Sequence, residues 1–374
     1  MSQKIRFSNP EIKNNDIDLV SNIIKSGWLT HGKFTDEFEN LFKKYTNSKY
    51  AITVSSCTAG LHLSCLAANF KKGDEIIVPN MTHTATAHAV EYTGAKAVLT
   101  DVDFKTGNID LINIKKKYNK NTKGVIIVHM AGYPCNISEI KKFCDQKKIT
   151  IIEDCAHALG SFYKNKHVGN FGISGCFSFY PTKQITTGEG GMVITNNKKI
   201  FNSIKKLKAF GIDKDIAQRK KQGLYDVKSL GFNYRMTDFQ AALGLRQLKT
   251  YKENLNKRKS NAMLYKSYLS KFKSVQLMKH STNCSYFVYQ IFCKRRDELL
   301  KVFKLKKIGV SVHYSKPLHK MTYYKKKYNL FDRSFISSNK YSDRNISLPV
   351  YPKLKKKDIK KICGVIRNFF KNEK

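Results

Sequence analysis

Residues 176–195, CFSFYPTKQITTGEGGMVIT, set two short apolar runs, 176–179 and 192–195, around a polar turn and the bend Gly188-Glu189-Gly190-Gly191. Short apolar runs bounded by Pro and Gly read as buried strands. Lys183 stands in the turn between them. A lysine in a polar turn is ordinarily just solvated. Here an apolar strand leads in, Pro181 stiffens the turn and the glycines let backbone approach a ligand closely. A lysine held on such an element can be stripped of water, which lowers its pKa toward the range where the neutral amine attacks a carbonyl.

The same alternation extends toward the N-terminus. Strands are expected over 50–54, 75–78, 97–99, 125–129 and 150–153, with helices over 60–69, 84–92, 137–146 and 200–210 between or after them. Strands alternating with helices predict an α/β fold with a largely parallel sheet, whose ligands bind beyond the carboxyl ends of the strands. The stretch 150–161, TIIEDCAHALGS, puts Asp154 and His157 at such an end. Alone, the pair reads as well as a helix N-cap and a satisfied histidine. Together with Lys183 it makes chemical sense, because pyridoxal phosphate needs a lysine for its Schiff base and a carboxylate at its pyridinium nitrogen. The stretch 51–64, AITVSSCTAGLHLS, adds a strand, a turn of small residues and a helix start, which suits a phosphate.

Thr237-Asp238 caps a long helical run, FQAALGLRQLKTYKENLNKRKSNAMLYKSYL, read as one helix bridging into a second region with the strand-like SYFVYQIFC. No linker or repeat separates the parts. The expected division is a large cofactor-binding domain over 1–254 and a small C-terminal domain over 255–374.

With 374 residues, 41% of them hydrophobic, the chain can bury a large core despite 69 Lys and Arg against 28 Asp and Glu. The excess lies mainly beyond residue 200, and only 10 of the basic residues are Arg, whose planar fork recognises phosphate and bases best. The charge is therefore read as a solvated, lysine-biased surface, with steering of an anion or of nucleic acid as the alternative. Nine scattered cysteines, none spaced C-x-x-C, exclude a disulfide framework and a zinc ribbon, and no metal is expected. The start MSQKIRFSNPEIKNND lacks an apolar h-region and no window holds 18 uninterrupted apolar residues, so a cytoplasmic protein without a membrane partner is expected.

Seven ordered motifs resemble the DegT/DnrJ sugar aminotransferases: SGWLTHG (26–32), SSCTAGLHL (55–63), GDEIIVPNMTHTATAHAV (73–90), EDCAHALGS (153–161), FSFYPTKQITTGEGGMV (177–193), GFNYRMTDFQAALG (231–244) and SLPVYPKL (347–354). The resemblance implies an α/β, aspartate-aminotransferase-like fold of type I, with a mostly parallel mixed sheet and a smaller C-terminal α+β domain. It implies pyridoxal 5'-phosphate, with Lys183 as its Schiff-base residue and proton carrier, Asp154 at the pyridine nitrogen and His157 at the phenolic oxygen. Backbone groups of Thr58 and Ala59, with Ser178, would hold the phosphate, and Asn233 would reach the phosphate of a neighbouring subunit in a homodimer with shared active sites. Two positions depart from the pattern. Cys57 stands where glycine is usual, and His83 where an aromatic residue stacks on the cofactor. Lys183 itself distinguishes the chain from the dehydratase offshoot, which carries histidine there.

The implied reaction is a ping-pong transfer of an amino group from glutamate to a keto sugar. By similarity of GFNYRMTDFQAALG to perosamine synthases, that sugar is a nucleotide-linked 4-keto-6-deoxyhexose for surface polysaccharide. HTATAHAV, KAFGIDKDIAQRKKQGLYDV and HYSKPLHKMTYYKKKY also resemble relatives that aminate an oxidised octulosonate sugar acid. Arg235, His313, Tyr314 and His319 are candidate substrate contacts, with structural roles as the alternative. A basic DNA-binding regulator is the reading from another class. Its support is the charge alone, as no helix-turn-helix, zinc or RNA-binding motif is present. The absence of G-x-G-x-x-G after an early strand rejects a Rossmann dehydrogenase.

Overall fold

The computed structural model describes residues 4–212, 221, 223–279 and 281–371. Helices α1 (Asn14–Lys25) and α2 (Lys33–Thr46) precede β1 (Tyr50–Val54). Then α3 (Cys57–Ala67), β2 (Glu75–Pro79), α4 (Thr84–Glu91), β3 (Lys96–Thr100), α5 (Leu111–Lys117), β4 (Thr122–Val128), α6 (Ile137–Lys147) and β5 (Thr150–Asp154) follow in strict alternation. A hairpin, β6 (Phe162–Tyr163) and β7 (Lys166–His167), leads to β8 (Ser174–Ser178), β9 (Gly191–Thr195) and α7 (Lys198–Leu207).

Seven strands form one sheet in the order β1-β9-β8-β5-β4-β2-β3. β9 is antiparallel to both its neighbours, and every other pairing is parallel. The runs Ile76-Ile77-Val78 and Val125-Ile126-Ile127 are wholly buried, as expected of parallel strands covered by helices on both faces. Because β9 alone runs in reverse, the other six strands end on one edge of the sheet. That edge carries the turns into α3 and α4 and the residues Asp154 and Ser178.

The run after Thr237 departs from the expected single helix. It divides into α8 (Asp238–Lys249) and α9 (Tyr251–Leu269) at Thr250, whose ψ of 4° leaves the helical range. The break turns Tyr251 fully inward, where its hydroxyl donates to the Leu159 carbonyl at 2.6 Å. Helical periodicity persists across the junction, so the pattern did not reveal a break imposed by a tertiary hydrogen bond. α9 then joins two cores. Tyr251 and Leu255 pack with the sheet, while Ala262, Tyr265 and Leu269 pack with the C-terminal part.

That part contains β10 (Gln276–Leu277), β11 (Tyr289–Phe292), α10 (Arg296–Leu305), α11 (Thr322–Tyr328), α12 (Ile336–Arg344), β12 (Asn345–Leu348) and α13 (Lys356–Lys371). Its three strands form an antiparallel sheet in the order β10-β11-β12. All nine cysteines are free and buried. Among the described residues no helix is long and apolar enough to cross a membrane. Residues 213–220 and 222, within the stretch KAFGIDKDIAQRKKQGLYDV, lie outside the described residues.

Candidate active site

The carboxyl edge of the large sheet, together with Phe287, His313 and Tyr314, encloses a cavity of about 430 Å³. At one wall β1 gives way to α3. The Ser56 hydroxyl accepts the Ala59 N–H at 3.0 Å and so caps the helix. Capping leaves the N–H groups of Cys57 and Thr58 as open donors at the positive end of α3, a suitable place for phosphate. The bend before β9 makes its close approach here, to protein rather than to open space. A Cβ on Gly191 would sit 2.6 Å from the Cys57 nitrogen, so only glycine lets β9 pass this turn. The Cys57 side chain, 8% exposed, packs in an apolar cluster with Ala59 and Cys176, which is how the turn accommodates it. Ser178, the last residue of β8, also lines the cavity.

Asp154, the last residue of β5, is buried. Its Oδ1 accepts the Ala156 N–H at 3.1 Å and its Oδ2 accepts the Thr86 hydroxyl at 2.8 Å. Among the described residues no cation pairs with it. Its neighbour Glu153 points the other way along the strand and anchors it. One Glu153 oxygen accepts from Phe171 and Gly172 N–H, the other from Gly169 N–H and His129 Nε2. Burial pushes the Glu153 carboxyl up, but these four donors outweigh it and hold the pKa below the usual glutamate value. His129, Glu153 and Cys155 approach as metal ligands would. The Glu153 oxygens are filled, however, and His129 Nδ1 accepts the Cys135 N–H, so the cluster is a structural knot.

His157 stacks on Phe287, with ring centroids 4.3 Å apart and planes 17° from parallel. Its Nε2 lies 3.2 Å from the Tyr314 hydroxyl, and its buried Nδ1 has no partner. Gln184, beside Lys183, donates to the His157 carbonyl at 2.6 Å. Lys183 Nζ lies 4.4 Å from the Phe287 ring centroid and makes no hydrogen bond or ion pair among the described residues. Desolvation lowers its pKa to about 8, although Cys57 and Asp154 pull it upward. The imidazoles follow the same logic. His313 is lowered to about 3 by burial and then by Lys183 and His83, and His157 is pushed well down by burial and by Lys183. His83, at the exposed mouth, is lowered by partial burial and Lys183. All three are neutral at neutral pH.

The structure thus gathers Thr58, His83, Asp154, His157, Ser178, Lys183, His313 and Tyr314 around one cavity. His83 sits edge-on to Tyr314, centroids 5.8 Å apart, and its Nδ1 accepts the Ala85 N–H at the start of α4. Ala59 stands behind, its N–H taken by the cap. Asn233, Arg235 and His319 do not line this chain's cavity. Asn233 is exposed, next to Tyr234, whose carbonyl accepts the Ser55 N–H at 2.8 Å. Arg235 lies over the Phe210 ring. His319 is buried against Phe335, its ring bonded to Asn80 and Asp332. Sequence reasoning missed Phe287, Thr86 and Gln184. Thr82 and Thr86, four residues apart in THTATAHAV with hydroxyls 2.7 Å apart across the start of α4, were a signal that was available; nothing in SYFVYQIFC marked Phe287 as more than a strand residue.

The residues fit pyridoxal phosphate. A desolvated lysine lacks a counter-ion, a buried carboxylate lacks a cation, a buried ring nitrogen on His157 lacks a partner, and a helix start has open N–H groups. Each is a cost to the protein alone and is matched by one part of that cofactor.

Comparison with known proteins agrees. Residues 10–367 match the family model described as the DegT/DnrJ/EryC1/StrS aminotransferase family. The chain is 33% identical to GDP-perosamine synthase of Escherichia coli O157:H7, covering 97% of this chain and 98% of that protein. Helicobacter pylori PseC, an aminotransferase involved in the biosynthesis of pseudoaminic acid, superposes with a TM-score of 0.92 at 28% identity, covering 99% and 100% of the two chains. The protein Spr1654 of Streptococcus pneumoniae in its PMP form gives the same TM-score at 28% identity over 97% and 98%. With its sheet, its lysine and its aspartate in these places, the chain belongs to the DegT/DnrJ/EryC1/StrS family of pyridoxal-phosphate-dependent aminotransferases.

Proposed function

We propose that the protein transfers the amino group of glutamate to a nucleotide-linked 4-keto-6-deoxyhexose in the cytoplasm, as a step toward surface polysaccharide. The carrying observation is near full-length identity of 33% to a GDP-perosamine synthase. Bound pyridoxal phosphate supplies an electron sink that acidifies the carbon next to the transferred nitrogen. The chain's own residues do the rest. Cys57 and Thr58 N–H groups and Ser178 hold the phosphate, and Asp154 keeps a proton on the ring nitrogen. Phe287, Tyr314 and His157 shed water from the region around Lys183. With a pKa of about 8, about a tenth of Lys183 is neutral at pH 7, and its Nζ accepts the proton taken from the substrate carbon and returns it one atom away.

Asn233 is exposed beside the phosphate turn, and Leu224, Val227 and Leu230 are exposed nearby in sequence. These features support a homodimer in which Asn233 completes the phosphate site of the second copy. His313 and Tyr314, which line the cavity, are the preferred sugar contacts. The test is amination of a panel of nucleotide-linked 4-keto-6-deoxyhexoses and keto sugar acids by the purified holoenzyme with glutamate. Turnover of a GDP-linked keto sugar supports the reading, and turnover confined to an oxidised sugar acid replaces it.

A further inference from the structure

The small C-terminal sheet buries polar side chains where its packing would favour apolar ones. Gln290 on β11 and Ser347 on β12 are directly paired across the sheet, and Asn345 lies two residues from Ser347 on the same face. Their exposures are 1%, 0% and 0%. Burying an amide costs about 1–3 kcal/mol unless it is hydrogen-bonded, so where the bonds go shows what the residues are for.

They converge on one residue of the cavity wall, His313. Asn345 Oδ1 accepts the His313 N–H at 3.0 Å, Gln290 Nε2 donates to the His313 carbonyl at 3.2 Å, and Ser347 Oγ meets His313 Nδ1 at 2.9 Å. Backbone bonds between Ser311 and Ser347, at 3.1 and 2.7 Å, fasten the same segment to β12. The Gln290 amide is itself oriented, since its Oε1 accepts the Tyr341 hydroxyl at 2.5 Å. Tyr314, held by this brace, places its hydroxyl 3.2 Å from His157 Nε2. No other acceptor serves that hydroxyl among the described residues. Burial keeps the phenol protonated and the imidazole neutral. The O–H therefore donates to Nε2, and the His157 proton stays on Nδ1, the buried atom without a partner.

We infer that Gln290, Asn345 and Ser347 are positioning residues: through His313 they hold the Tyr314 hydroxyl on His157 and so fix the Nδ1–H tautomer of His157, leaving it a hydrogen-bond donor for the oxygen-bearing edge of the cofactor. The inference rests on the aminotransferase reading for its purpose, but not for its test.

The test uses the full-length chain labelled with nitrogen-15 in histidine, without cofactor, and reads which ring nitrogen of His157 carries the proton; the signal is assigned by its loss in His157→Gln. Wild-type protein should show Nδ1–H alone. Tyr314→Phe and Gln290→Met should both give a mixture of tautomers, and on the loaded enzyme each should lower kcat about tenfold or more with the KM for glutamate changing less. The double variant should be no worse than Tyr314→Phe, because both changes break one relay. If Gln290→Met does not fold, Ser347→Ala removes one bond of the same brace at little cost in volume and should shift the tautomers in the same direction. An unchanged Nδ1–H signal in folded Gln290→Met, or in Ser347→Ala where that variant replaces it, overturns the inference, as do losses that multiply in the double variant. Failure of the wild-type enzyme to transfer amino groups would sink the functional reading and leave the nitrogen signal standing.

Discussion

Lys183 Nζ lies over the face of Phe287, 4.4 Å from the ring centroid. The ring does two opposing things to the amine. Its face attracts a cation, worth about 2 kcal/mol in a desolvated site, and its bulk excludes water. The lowering of the lysine pKa from 10.5 to about 8 corresponds to about 3 kcal/mol, so exclusion of water wins. Phe287→Ala should therefore raise the Lys183 pKa. In wild-type apoenzyme, the rate of pyridoxal phosphate uptake should rise about tenfold per pH unit below 8 and level off above it, because only the neutral amine reacts. In Phe287→Ala that limb should move to higher pH. A limb that stays in place or moves down would show that the ring does not dry the lysine.

Asp154 has two hydrogen-bond donors, Ala156 N–H and Thr86 Oγ1. Asp154→Asn keeps the shape but removes the charge that holds a proton on the cofactor ring, and turnover should fall by about a thousandfold or more. Thr86→Val removes one donor, a loss of about 1 kcal/mol, and should cost about fivefold. Steady-state kinetics on both variants decides the order; equal losses would mean that Thr86 touches the reaction itself.

The sheet was legible in the sequence because its strands are short, apolar and separated by helices of clear period. Six of the seven expected strands lie within two residues of their observed ends, and the seventh, expected over 125–129, begins three residues earlier at Thr122. The places of Lys183 and Asp154 at the cavity were legible because a lysine in an apolar-flanked turn and a carboxylate at a strand end stand out from the pattern around them. The brace of Gln290, Asn345 and Ser347 was not, since a polar residue in a strand reads as solvent-facing until the chain that covers it is known. His319 misled for the opposite reason. It stands in HYSKPLHK beside His313 and Tyr314, yet its ring is used by Asn80 and Asp332. Sequence proximity carried no information about which histidine faces the cavity.

Glu153 binds His129 and three backbone N–H groups in full burial. Glu153→Gln would set an amide hydrogen against those donors and should destabilise the fold by about 3 kcal/mol at neutral pH. The carboxyl's pKa is depressed in the folded state, so its stabilisation is complete above the unfolded value near 4.5 and is lost as pH falls through the depressed value. Urea denaturation should show the gap between wild type and Glu153→Gln narrowing below pH 4.5. A gap independent of pH would mean that the carboxylate is not the source.

Shared sites predict complementation. Asn233→Asp puts a carboxylate beside the partner's phosphate and should weaken cofactor binding through repulsion. Co-refolded Lys183→Ala and Asn233→Asp chains should then regain activity at limiting cofactor, because one site of each mixed dimer holds intact Lys183 with intact Asn233. Mixed dimers, verified by native mass spectrometry, that remain as inactive as their parents would confine Asn233 to its own subunit.

Borohydride reduction of the holoenzyme followed by peptide mapping tests the central claim most directly. The account predicts one pyridoxyl group per chain, on Lys183 within FSFYPTKQITTGEGG, and none in Lys183→Ala. A label on any other lysine, or no label on a chain with bound cofactor, would contradict it.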